Sequence, residues 1–211
     1  REGVLIFVVK RKFAFLALVI AALLLSGCSN PSDAASYKNG KITIERVQES
    51  VSTILKEREK FDTSPEGALT GEALTLNQLE FHVFSALLTQ AAKDRNIVAT
   101  AAEVAESRAG VVKNVGSEDQ LSVALVKAGI ASIDLNQYLS LIVLQDKLRI
   151  LLAPNATDDG QIIQALQKIM EETVAKQELK VNPRYGVWNT TTNKIDPTDP
   201  TGGALPKSKN Q

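Results

Sequence analysis

The chain has 211 residues, with 24 Lys and Arg balanced by 24 Asp and Glu, 44% hydrophobic residues, one Cys, one His and one Trp. One His and one Cys make no soft-ligand metal set, and a lone Cys forms no intramolecular disulfide. There is no GxxxxGK[ST] or GxGxxG run to support nucleotide use, and balanced charge provides no basic footprint for nucleic acid.

Lys10, Arg11 and Lys12 precede residues 13–25, thirteen in a row without a charged or polar side chain. As a helix that run spans about 20 Å, too short for a ~30 Å hydrocarbon core, and positive-then-apolar order is that of a secretory signal peptide. It ends in Leu25-Ser26-Gly27-Cys28, which resembles the bacterial lipobox. The resemblance implies cleavage before Cys28 and acylation of that cysteine. Residues 1–27 are then a lipoprotein signal peptide, and the mature chain is held by acyl chains on the extracytoplasmic face of the cell membrane. Two or more chains anchor a protein stably, each buried methylene contributing about 0.8 kcal/mol. Removing Arg1, Lys10, Arg11, Lys12 and Glu2 turns the net charge from zero to −3. This mild acidity argues against nucleic acid or anionic lipid headgroups as partners.

Residues 28–36, small and rich in Ser and Ala, read as a tether. Asn39-Gly40 predicts a type I′ hairpin over 37–43 that leads into a helix capped by Thr43. Ile44, Val47, Val51, Ile54 and Leu55 place one apolar face on a helix over 44–60. After a loop over 61–71, Thr75 and Gln78 predict a capping box for a helix over 76–95 with Leu79, Val83, Phe84, Leu87, Leu88 and Ala91 inward. Thr100 with Glu103 and Ser117 with Gln120 open helices to about 113 and 128, the latter stopped by Gly129. Ser132 opens a longer helix carrying Leu135, Tyr138, Leu139, Ile142, Leu148 and Leu151, closed by Pro154. Thr157 caps the sixth, with Ile162, Leu166, Ile169, Met170 and Val174 inward. Pro183 and Gly186 break helix, so 181–188 reads as a short extended segment beside the hairpin. Residues 189–211 hold almost nothing apolar and read as a disordered tail. The fold class is mainly α: a bundle of about six helices with a small N-terminal hairpin and a short C-terminal extended segment.

Asn39-Gly40-Lys41-Ile42-Thr43, the run from Ala91 to Val104 with Ile97 and Thr100-Ala101-Ala102-Glu103-Val104, and Leu121, Leu125, Gly129-Ile130, Tyr138-Leu139 and Asp146-Lys147-Leu148 together resemble the SurA N-terminal domain over about 37–152. Val181 to Trp188 resembles a C-terminal segment of actinobacterial lipoproteins with that domain. The resemblance implies a SurA/PrsA-like extracytoplasmic chaperone domain over 37–188. Such a protein holds unfolded or nascent exported polypeptides without ATP or a cofactor. Many relatives insert a parvulin prolyl isomerase module after the helical block. Here only about 28 residues separate Pro154 from Asn182, so the expectation is a chaperone that is not an enzyme.

His82, between Phe81 and Val83, has no Cys, Asp or Glu at ligand spacing and reads as structural. Glu57, Glu59, Asp62 and Glu66 alternate with Lys56, Arg58 and Lys60, the pattern of a solvated helix face. Candidate client-binding residues are Phe84, Leu87, Leu139 and Ile142 on helix faces, and Tyr185 and Trp188 in the C-terminal segment. The alternative for the last two is that they pin that segment onto the helices. For the whole chain, the alternatives are an envelope lipoprotein docking one folded partner and, last, a prolyl isomerase.

Overall fold

In the computed structural model, residues 31–61, 67–156 and 158–197 are described. The lipobox, Leu25, Ser26, Gly27 and Cys28, lies outside them, as do the signal peptide, the first part of the tether, Thr157 and the last residues of the tail. Among the described residues six α-helices and five short strands follow one another: β1 (Asp33–Tyr37), β2 (Gly40–Thr43), α1 (Ile44–Phe61), α2 (Gly71–Lys93), α3 (Ala101–Val115), α4 (Glu118–Ala128), a 3-10 turn (Ser132–Asp134), α5 (Leu135–Leu152), α6 (Asp159–Gln177), β3 (Lys180–Val181), β4 (Val187–Asn189) and β5 (Lys194–Asp196).

The strands form two antiparallel sheets, β2-β1-β3 and β4-β5. The expected tether therefore ends early, since residues 33–36 belong to β1, the central strand of the first sheet, with Ala34 and Ala35 fully buried. Small side chains let this strand lie close against the helices, and composition alone reads the same residues as linker. The hairpin is present, but its turn is Lys38-Asn39, Tyr37 pairs with Gly40, and no residue of 37–40 has a positive φ. Gly40 serves a different purpose from the type I′ turn expected of it: a Cβ there would lie 2.8 Å from the Tyr37 hydroxyl. The extended segment does sit beside the hairpin, Ala35 pairing with Val181 and the Asn182 N–H donating to the Ala34 carbonyl at 2.9 Å. The tail is not disordered at its start, because Trp188 pairs with Ile195 and Asn189 with Lys194. A buried Ile195 supplies the apolar anchor in an otherwise polar run.

Helix starts follow local hydrogen bonding. Thr43 accepts from the Arg46 N–H at 3.1 Å, and Thr100 with Glu103 closes a complete capping box. Ser117 accepts from the Gln120 N–H at 3.2 Å. Thr75 caps nothing: α2 begins four residues earlier, and the Thr75 hydroxyl donates to the Gly71 carbonyl. Asp158 caps α6, accepting from the Gln161 N–H at 3.0 Å. Ser132 opens the 3-10 turn, one turn before α5.

Helix α2 is the axis. Leu74, Leu79, Val83, Leu87, Leu88, Ala91 and Ala92 are all buried, and α1, α5 and α6 pack around it. A helix buried on several faces shows no single apolar stripe. Its core continues through Val47, Leu141, Leu144, Leu148, Ile169 and Met170 to the first sheet. A second cluster, Leu121, Leu125, Leu135 and Leu139, lies under the α3–α4 hairpin, where Val104, Val111, Val112 and Ile142 pack in part. No residue of α3 is fully buried; beside the partial packing of its valines, the Lys147–Glu103 ion pair joins it to α5, and the Lys147 ammonium also donates to the Val98 carbonyl, just before α3, at 2.8 Å. Leu55 and Leu151, expected inward, are 40% and 53% exposed: on α1 the neighbouring Ile54 takes the buried position, and Leu151 stands one residue from the end of α5.

Candidate functional site

Two features meet beside the middle of α2. The first is a buried polar cluster. Arg46 and Ser50 are four residues apart on α1 and so share a face, His82 comes from α2, and Asp134 from the 3-10 turn. Asp134 precedes α5 but makes no cap bond with its side chain. Its carboxylate instead receives the Arg46 guanidinium and, at 2.7 Å, the Ser50 hydroxyl. Ser50 Oγ lies 3.2 Å from Arg46 Nη1 and 3.0 Å from His82 Nε2. A hydroxyl has one proton and two lone pairs. With its proton on Asp134 and Arg46 donating to it, Ser50 accepts from His82, which makes Nε2–H the tautomer. Burial, with the Arg46 charge adding to it, lowers the imidazole to about 4, against the smaller opposing pull of Asp134 and Glu49. His82 is therefore a neutral donor.

Ser, His and Asp together suggest a nucleophile, but the geometry opposes that use. The aspartate takes the serine's own proton and does not orient the imidazole, and Ser50 is fully buried. A hydrolytic triad needs the reverse order of bonds and an accessible oxygen. The cluster ties α1, α2 and the start of α5 together.

The second feature is an apolar pocket of about 290 Å³ walled by Phe81, Phe84, Ile130 and Tyr138, with Asp134 also among its lining residues. Gly129, at φ 68°, turns the chain after α4, and Gln78 Nε2 holds its carbonyl at 3.0 Å, which sets Ile130 in the wall. Thr192 and Asn193 of the β4–β5 turn and Lys194, the first residue of β5, line another side. Arg46 and His82 line a more polar pocket of about 450 Å³, together with Tyr37, Gln90 and Lys93. The polar cluster thus contributes to both.

Of the predicted client-binding residues, Phe84 alone lines the apolar pocket. Leu87 and Leu139 are 1% and 0% exposed, so these two are core: α2 is enclosed at Leu87, and the α3–α4 hairpin covers Leu139. Ile142 is half-buried in that same hairpin contact, and Tyr185 and Trp188 pack in part on the main core. Sequence reading missed Phe81, Ile130 and Tyr138 as one wall, and missed the partners of His82, which lie 32 or more residues away along the chain. One signal was present: Ser50 interrupts the apolar stripe Val47, Val51, Ile54, and a polar residue inside a buried face requires a partner.

Among the described residues no group of three or more His, Cys, Asp or Glu could hold a metal ion, and no helix is long and apolar enough to cross a membrane. Comparison with protein-family models, with known proteins and with solved structures returned no match.

Proposed function

We propose that this chain is a membrane-anchored extracytoplasmic lipoprotein, acylated at Cys28, whose SurA N-terminal-like bundle holds unfolded exported polypeptides without ATP or a cofactor. The observation that supports the reading is the open aromatic pocket walled by Phe81, Phe84, Ile130 and Tyr138. Its volume suits one or two client side chains. Burying one large apolar side chain contributes about 1.5–3 kcal/mol, so one pocket binds weakly, and micromolar affinity requires several contacts along a segment. Holding the unfolded state lowers its free concentration and with it aggregation. The chain is read as a binder and not an isomerase, since among the described residues α6 is the one helix between α5 and β3.

The purified chain is expected to slow aggregation of a chemically denatured protein in the absence of ATP. Phe84→Ala, folded by circular dichroism, should weaken binding to an unfolded peptide about tenfold, the loss of one buried aromatic contact. Equal protection by wild type and variant removes the pocket from the mechanism. Cells fed an alkyne fatty acid should label the wild-type chain and leave Cys28→Ala unlabelled and free of the membrane; labelling of both would end the lipoprotein reading. Ile150, Leu151 and Ile163, each more than half exposed around the α5–α6 turn, favour a second reading, docking of one folded envelope partner. Crosslinking from that turn in cells would then give one saturable product.

A further inference from the structure

We propose that the β4–β5 hairpin is a resident pseudo-client: it occupies the chain's own peptide-binding seat on α2 and is displaced by an extended apolar segment. The proposal rests on the holdase reading and names the ligand class of that same pocket.

β4 and β5 pair only with each other among the described residues, and a lone two-stranded hairpin is marginal in water. Its docking on α2 therefore decides whether it is ordered. Beside the partial packing of Trp188 on the main core, two contacts dock it, both at Ile195. The Ile195 side chain is 3% exposed in the main core, and the Ile195 N–H donates to Glu80 Oε1 at 2.8 Å. The next residues back, Thr192–Lys194, wall the apolar pocket. One apolar side chain plus one backbone N–H is a set that any extended peptide can reproduce, proline excepted at the donating position.

The docked state is also imperfect. Trp188 Nε1 and Asn193 Oδ1 are buried without a partner, two of the four such side-chain atoms among the described residues. Asn193 holds φ 52°, in the left-handed region. Undocking returns both polar atoms to water and releases the strained residue. A segment that fills the Ile195 seat without those defects competes directly. Self-occupancy lowers apparent client affinity by the fraction of molecules that are open.

Trp188 is the chain's one tryptophan and reports hairpin release. The probe is a Trp-free synthetic peptide of residues 186–197 carrying Trp188→Phe, added to the full chain. Binding is expected to shift Trp188 emission to the red, and a peptide also carrying Ile195→Pro should bind at least tenfold more weakly. Gly186→Ala should open the hairpin without touching the seat, since its Cβ would lie 2.1 Å from the Asp196 carbonyl oxygen at φ 125°. Ile195→Ala should open it too. Each should show red-shifted emission before peptide is added and bind the probe about tenfold tighter. Asn193→Gly, which relieves the left-handed strain while docked, should bind it more weakly than wild type. If the opening variants lose their helical signal, the Asn193→Gly result carries the test. Peptide binding with Trp188 emission unmoved, or tighter binding by Asn193→Gly, overturns the pseudo-client and leaves the holdase reading standing. No binding by wild type or the opened variants overturns the seat, while the aggregation assay judges the holdase reading separately.

Discussion

Replacing Arg46 with alanine is expected to cost about 3–5 kcal/mol of folding stability, although its side chain is a third exposed. The loss comes from what remains behind. Asp134 is 1% exposed, and without Arg46 its carboxylate keeps, among the described residues, the Ser50 hydroxyl as its one side-chain donor. An unpaired buried charge is far costlier than a missing surface ion pair, which is worth about 1 kcal/mol or less. Asp134→Ala should cost less, because Arg46 retains Glu49 at 3.1 Å and partial contact with water. The double variant Arg46→Met, Asp134→Leu should recover most of the loss, since it removes both charges and fills similar volume. Urea unfolding of the three variants tests this. A single-variant cost under about 1 kcal/mol for Arg46→Ala would show that the pair contributes no more than a surface ion pair.

Stability should also fall as pH drops from about 6.5 to about 4, by roughly 3 kcal/mol from His82. In the unfolded chain the imidazole takes up a proton near its ordinary value of 6.5, whereas in the folded chain burial delays uptake to about 4. Between those values the unfolded state binds more protons, so acid favours unfolding. Above 6.5 both states are neutral at this site and the profile is flat. His82→Gln keeps an N–H donor for Ser50 and removes the titration, so its stability should be level across that window. The Glu103 carboxyl, held down to about 2 by hydrogen bonds from Lys147 and Thr100, has its effect in a lower window, between 4.5 and 2. A wild-type profile that is level from pH 6.5 to 4, or a sloping one that survives His82→Gln, would place the acid sensitivity elsewhere.

Both predictions depend on a cluster that chain order conceals. His82 reads as a lone residue because Ser50 and Asp134 come from other elements and approach it only when α1, α2 and the 3-10 turn pack. Ser132 is the expected start of that helix and Asp134 carries no expectation of its own, yet in place the Asp134 carboxylate is turned to Arg46 and Ser50. The same holds for Leu87 and Leu139. Periodicity marks them as apolar, but whether an apolar face ends in core or groove depends on which neighbour covers it. Residues 33–36 and 189–196 mislead for another reason: short strands of Ala, Ser, Thr and Asn have the composition of linkers, and pairing plus one anchor such as Ile195 orders them.

What the sequence alone determined is the local structure: six amphipathic or buried helices, most of their stops, the caps at Thr43, Thr100 and Ser117, and an N-terminal hairpin with an extended segment beside it. Each of these is decided within a few residues, by helical spacing or by a side chain satisfying a nearby backbone N–H. Tertiary structure decided the rest. The aromatic pocket, the neutral His82, the buried Arg46–Asp134 pair and the hairpin seated against α2 all join residues far apart in the chain, and none exists until packing removes water from between them.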